Sequence, residues 1–264
     1  LNGHASAADS LDDAPPLLTD AFGALRSSVV LSSPEAPPQV LLVTSPGAGE
    51  GKSTVALHLA AAMARDGLPT LLVEADLRHP VLHRRLGIDH TPGLTELLTS
   101  KKPLVLPGAP GDSGAVKRTS VEGLFLLPSG LAAPNPSELL GSARMRELIA
   151  DARKSFGRII IDSPPVFAAA ETLALADSTV LAAACDGVML VVRARRTSRE
   201  AVARARSRLE QVRARILGAV LNDWRRSGPS KSSLYYDGYG YGYGPAPKPA
   251  THGNGAPNGN GDVN

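Results

Sequence analysis

The 264-residue sequence has a single cysteine, Cys185, so no disulfide can close within the chain, and the composition fits a reducing compartment. Tyrosine is absent from the first 234 residues. All five tyrosines, Tyr235, Tyr236, Tyr239, Tyr241 and Tyr243, fall in one short stretch near the C-terminus. No apolar run reaches the roughly 18 residues of a membrane-spanning helix, which excludes such a span. Neither sign of charge dominates: 28 basic residues stand against 25 acidic ones, and a net +3 is too small to argue for a nucleic-acid partner. The sequence opens on Leu1 and not methionine, and no signal-peptide pattern follows, so it reads as a piece of a longer protein.

What is present suffices for one α/β domain and a tail, with a core large enough to need no covalent staples. Residues 1–16 are small, polar and proline-ended and read as linker. Residues 17–31 place apolar side chains at helical spacing. Apolar runs then follow at 40–45, 69–75, 123–130, 158–162, 187–193 and 216–222, each short and continuous, as in strands buried on both faces. Helical patterns separate them at 52–65, 80–86, 92–98, 136–154, 171–184 and 197–214, and residues 101–120 read as a surface loop. The alternation predicts an α/β fold, a mostly parallel sheet with helices on both faces. From Ser227 onward the chain is Gly, Pro, Tyr and Asn with almost no aliphatics, and such a segment cannot bury enough surface to order itself. The expected organisation is therefore linker 1–16, folded domain 17–226 and a disordered tail 227–264.

The stretch "VLLVTSPGAGEGKSTVALHLAAAM" carries the first chemistry. An apolar run enters a glycine-rich turn and leaves as an apolar helix. Gly47, Gly49 and Gly51 let backbone amides turn toward phosphate oxygens, and the helix beginning near Lys52 adds its positive end. Lys52 is placed to reach the β- and γ-phosphates of a nucleotide and Ser53 to ligate Mg²⁺. The nucleotide-contacting set is Gly47, Ala48, Gly49, Glu50, Gly51, Lys52, Ser53 and Thr54. Pro46 stands where the motif usually begins with glycine.

Phosphate chemistry also needs carboxylates for the metal and the nucleophile. "LLVEADLRHP" ends an apolar run at Glu74 and adds Asp76 and Arg78; if the strand continued, all three would share one face. "GRIIIDSPPV" ends at Asp162. Ligands of parallel sheets bind beyond the carboxyl ends of strands, and both acidic groups sit at such ends.

With these motifs in view, the sequence resembles the bacterial tyrosine kinases of capsule and exopolysaccharide synthesis over residues 17–243. "TSPGAGEGKSTVALHLA", "LLVEADLRHP", "LPSGLAAPNPSELLGSARMRELI", "IIIDSPPV", "CDGVMLVVR", "GAVLN" and the tyrosine cluster carry the resemblance. It implies an ATP- and Mg²⁺-dependent kinase that phosphorylates its own C-terminal tyrosines, Tyr235 to Tyr243. It implies catalytic roles for Lys52, Glu74, Asp76 and Asp162, metal ligation by Ser53, Asp76 and Asp162, and nucleotide contacts by Arg78 and Asn222, the latter near the adenine. It further implies a membrane-anchored activator in the same or a separate chain, a homo-oligomer, a cognate tyrosine phosphatase, and a place at the inner face of the cell membrane. Two departures stand out. Glu74 replaces an aspartate expected as a candidate base, and the helical ring-contact motif is reduced to Asp20, Gly23 and Arg26. Asp177 also falls later than the family spacing after "SPPV", which predicts a short insertion or a shifted helix start.

Other features carry less. Between Arg193 and Arg226 lie eleven arginines and three acids, which reads as a solvated helix face; attraction to anionic lipid or nucleic acid is the alternative, and no aromatic in that helix can stack on bases. The histidines show no metal spacing, Cys185 reads as a buried filler, and Trp224 as a residue packed at the domain edge. Two competing functions remain. A partitioning ATPase would carry a lysine early in the loop, where this chain has Gly47; a silent ATP-binding regulator would bind nucleotide and transfer nothing.

Overall fold

The structure, a computed structural model, describes residues 15–33, 35–100, 102, 104–109, 111–167 and 177–224. The tyrosine cluster and the first half of the predicted 171–184 helix lie outside the described residues. Among the described residues seven strands form one sheet: β1 (Val40–Thr44), β2 (Thr70–Glu74), β3 (Lys117–Arg118), β4 (Leu124–Leu127), β5 (Arg158–Asp162), β6 (Gly187–Arg193) and β7 (Ile216–Asn222). Their order is β3-β4-β2-β5-β1-β6-β7, and every pairing is parallel except that of β3 with β4. The predicted mostly parallel sheet is thus present, with strand limits close to the apolar runs.

Period-two alternation divides the core. Val40, Leu42, Leu71, Val73, Ile159 and Ile161 face one layer, while Leu41, Val43, Leu72 and Ile160 face the other. The first layer is covered by α4 (Leu94–Thr99), α5 (Pro136–Gly141), α6 (Ala143–Ser155), α7 (Asp177–Ala182) and α8 (Arg199–Gln211). The second is covered by α1 (Pro16–Val30), α2 (Lys52–Ala64) and the short α3 (Leu82–Arg85). Helix α2 is apolar nearly all round because it is buried nearly all round, between the sheet and α1. Phe22 of α1 stacks on His58 at 5.0 Å, and Arg26 pairs with Asp66 at 2.6 Å. Arg26, the arginine left in the reduced ring motif, is therefore engaged within its own chain.

Five expectations are corrected. The 136–154 helix is two helices, because Ser142 is extended and its hydroxyl accepts from Met145 N at 3.1 Å, capping α6. The 101–120 segment is not all surface: Leu104, Ala115 and Val116 are buried, and Lys117–Arg118 adds β3 to the sheet edge. Strand β7 is half-exposed, since among the described residues no strand lies beyond it, and Leu221 and Trp224 stand out into solvent in place of the edge packing expected of Trp224. Cys185 is only half-buried, its thiol 3.1 Å from Leu181 O.

At the opposite end from the strand carboxyl termini, Asp186 ties β1 to α6. Its carboxylate accepts from Gln39 N at 2.9 Å and Val40 N at 2.8 Å and is gripped by both Arg153 nitrogens at 2.9 and 2.7 Å. Burial opposes the charge, but Arg153 and the two amides outweigh it and hold the Asp186 carboxyl below its ordinary value. A lowered carboxyl stabilises the fold above its unfolded pKa and ceases to do so as pH falls through its folded one. Asp186→Ala should cost about 1–3 kcal/mol at pH 7 by urea unfolding, through stranded donors. The gap from wild type should narrow below about pH 4.

Candidate nucleotide and metal site

Strand β1 ends at Thr44 and α2 begins at Lys52; the loop between them closes at the carboxyl edge of the sheet centre. Gly49 and Gly51 adopt φ of +75° and +95°, a region that glycine enters at little cost. A Cβ on Gly51 would lie 2.0 Å from Asn222 Nδ2. The loop's carbonyls are held from outside: Asn222 Nδ2 donates to Glu50 O at 2.9 Å, and Arg193 Nη1 to Gly49 O at 3.2 Å. Arg193 is itself paired with Asp223 at 3.0 Å. Ser45 Oγ donates to Gly47 O, and Gly47 N donates to Glu50 Oε1. Burial raises the Glu50 carboxyl, with Thr197 and the Gly47 amide pulling the other way. The first-turn amides of α2 have no acceptor within their helix and are available to an anion.

Two carboxylates flank Lys52. Its Nζ lies 2.7 Å from Asp76 Oδ2, and both side chains are nearly buried. Asp162, at the end of β5, is 1% exposed, and neither of its oxygens has a hydrogen-bond partner among the described residues. Burial pushes its carboxyl up to about 7; the Lys52 charge and the Ser53 hydroxyl pull it down, and Asp76 and Glu74 push it further up. Ser53 is near enough to favour the charged form yet makes no hydrogen bond to it. An orphaned buried carboxylate is costly unless something completes it. The donors gathered here, two carboxylates and a hydroxyl, are the hard oxygens that suit Mg²⁺, so the site fits the expected ion.

Not every expected residue joins this cluster. Glu74 and Asp76 do not share a face, because β2 stops at Glu74 and Asp76 sits in a turn closed by His79 N. Glu74 instead accepts from Leu82 N, His83 N, His83 Nδ1 and Ser129 N. Arg78 points to Asp177 at 3.5 Å and Ser137 at 3.0 Å and not onto the loop. Thr54 Oγ1 is taken by Arg85 at 2.8 Å. Asn222 touches the phosphate loop through Glu50 O. Sequence reading missed His83, Arg193 and Asp223; their partners lie in other elements, and no local spacing announces them.

Comparison with known proteins agrees with this geometry. A family profile in the ParA group, described as NUBPL iron-transfer P-loop NTPase, matches residues 37–233. The chain is 33% identical over 219 residues to tyrosine-protein kinase YwqD of Bacillus subtilis (strain 168), covering 83% of this chain and 86% of that one. It is 36% identical over 202 residues to tyrosine-protein kinase CpsD of Streptococcus agalactiae, covering 76% and 81%. Among solved structures, the kinase domain of Escherichia coli tyrosine kinase ETK superposes with a TM-score of 0.69 at 29% identity, covering 80% of this chain and 79% of that one.

The orphaned carboxylate generates a prediction. A carboxyl raised to about 7 destabilises the folded state as pH climbs from about 4 to about 7, because the unfolded chain gives up that proton more readily. Without metal or nucleotide, Asp162→Asn should therefore be more stable than wild type at pH 8, by on the order of 2 kcal/mol. Thermal unfolding with and without Mg²⁺ and ATP checks this: the ligands should stabilise wild type far more than the variant. Gly51→Ala should weaken nucleotide binding measured with a fluorescent ATP analogue, since alanine is strained at φ +95° and its methyl group would push the Asn222 side chain off Glu50 O.

Proposed function

The chain belongs to the bacterial tyrosine kinases, and from that membership we propose that it transfers the γ-phosphoryl group of ATP to its own tyrosines Tyr235, Tyr236, Tyr239, Tyr241 and Tyr243, and so regulates synthesis and export of a capsular or extracellular polysaccharide. The protein is a protein-tyrosine kinase on a P-loop fold. The observation that best supports the fuller reading is the buried, unpartnered Asp162 carboxylate beside the Lys52–Asp76 pair.

In this reading the loop Gly47–Thr54 receives the phosphates. Lys52 exchanges Asp76 for the β- and γ-phosphate oxygens and meets the charge that develops on the transferring group. Ser53, Asp76 and Asp162 would hold Mg²⁺, which when bound would supply further positive charge to those oxygens. The carbonyl ties from Asn222 and Arg193 keep the loop shaped for anions before nucleotide arrives, so little reorganisation is needed at the moment of transfer. Gly47, standing where a partitioning ATPase carries lysine, favours the kinase over that alternative. A membrane-anchored activator, a second copy and a tyrosine phosphatase are the partners such a kinase requires, and the activator would bring it to the inner face of the membrane. Among the described residues no helix is long and apolar enough to cross a membrane.

Incubation with ATP and Mg²⁺, followed by peptide mass spectrometry, tests the reading. Several phosphates should appear, confined to Tyr235–Tyr243. Lys52→Met should lose at least about 10²-fold in rate while the chain remains folded by circular dichroism. Phosphate at an unchanged rate in that variant would contradict the proposal.

A further inference from the structure

Glu74 stands where an acceptor-activating base would be sought, at the end of β2 and two residues before Asp76. Its surroundings suit a different task. The side chain is fully buried, and both oxygens are occupied. Oε1 accepts from Leu82 N at 2.5 Å and His83 N at 3.3 Å; Oε2 accepts from Ser129 N at 3.0 Å and lies 2.9 Å from His83 Nδ1. The carboxylate thus closes the turn that carries Asp76 and Arg78: the turn leaves from Glu74 and returns to it at Leu82.

The same group anchors the loop after β4. Ser129, whose amide Glu74 holds, accepts through its own carbonyl from Thr95 N at 3.0 Å and Thr95 Oγ1 at 2.9 Å. Leu131 N, two residues on, donates to Glu96 Oε1 at 2.9 Å. Four pieces of chain, the β2 end, α3, α4 and the loop after β4, therefore meet around one carboxylate. A proton acceptor must reach the phenol it deprotonates. A carboxylate enclosed by three amides and an imidazole has no free lone pair directed to solvent or to Lys52.

We propose that Glu74 is a positioning residue and not the acceptor of the tyrosine proton: with His83 it clamps the Asp76 turn to the loop after β4, fixing the carboxylate that faces Lys52. The inference rests on the kinase reading. It also accounts for glutamate at this position. Shortening the side chain by one methylene withdraws the carboxylate by about 1.5 Å, too far to reach Leu82, His83 and Ser129 together.

The two roles predict opposite rankings. Tail phosphorylation by the full chain would be followed at varied ATP in wild type, Glu74→Gln, Glu74→Asp and His83→Ala. A clamp predicts that Glu74→Gln, which keeps the length and an acceptor oxygen, raises KM for ATP several-fold and lowers kcat by less than about tenfold. It predicts that Glu74→Asp is the more damaged of the two and that His83→Ala resembles Glu74→Gln. A base predicts the reverse: Glu74→Gln loses about 10²–10⁴-fold in kcat at unchanged KM, while Glu74→Asp keeps most of it. That second pattern overturns the proposal. Hydrogen exchange on the same proteins separates the two claims. Leu82 and Ser129 amides should lose protection in Glu74→Ala, and unchanged protection refutes the clamp even if the wild-type chain transfers no phosphate, a result that would count against the kinase reading alone.

Discussion

Glu74, Asp76 and Asp162 are buried close together where β2 and β5 end, and Lys52 pairs with one of them, Asp76. Placing ionised groups in a protein interior costs several kcal/mol each unless partners replace the lost water. The chain meets this cost in three different ways. Glu74 is surrounded by backbone amides and His83, Asp76 is neutralised by Lys52, and Asp162 has no hydrogen-bond partner among the described residues, only the nearby Lys52 charge and Ser53 hydroxyl. The first arrangement ties the end of β2 to α3 and the loop after β4; in the proposed reading the second rearranges on nucleotide binding and a metal ion completes the third. The site's function follows from that division.

The sheet order produces the arrangement. Strand β5 lies between β2 and β1, with Asp162 in register with Glu74 on one side and Val43 on the other. The strand ends therefore bring Asp162 beside both the Asp76 turn and the start of the phosphate loop. Strands β6 and β7 continue past β1, and their ends supply Arg193 and Asn222 to that loop. At the far edge of the sheet, Asp186 and Arg153 secure the other ends of the strands. Charged groups thus sit at the two ends of an otherwise aliphatic core, paired where they serve structure and left open where they serve chemistry.

Much of this was legible in the sequence. Continuous apolar runs marked six strands because both faces of a central parallel strand are buried, and the glycine-rich turn marked the phosphate loop because its backbone needs glycine dihedrals. Asp76 and Asp162 were found from their places at strand ends. What failed did so for a physical reason. Period-two reasoning put Glu74 and Asp76 on one face, but it applies only within a strand, and β2 ends between them. Apolar character alone did not distinguish the edge strand β7 from a central one. His83, Arg193 and Asp223 act through contacts between distant elements, and nothing in their neighbours announces such contacts. The tyrosine cluster lies outside the described residues, so its place in the account rests on sequence and kinship.

The claim on which the account turns is that Asp162 is left unpartnered because a metal ion completes it. A crystal structure of the chain with Mg²⁺ and a non-hydrolysable ATP analogue tests that most directly. The account predicts Mg²⁺ beside Ser53, Asp76 and Asp162, with Asp162 engaged directly or through a metal-bound water, and Lys52 turned from Asp76 to the nucleotide. Bound nucleotide with no metal beside Asp162, and the Lys52–Asp76 pair intact, would contradict it.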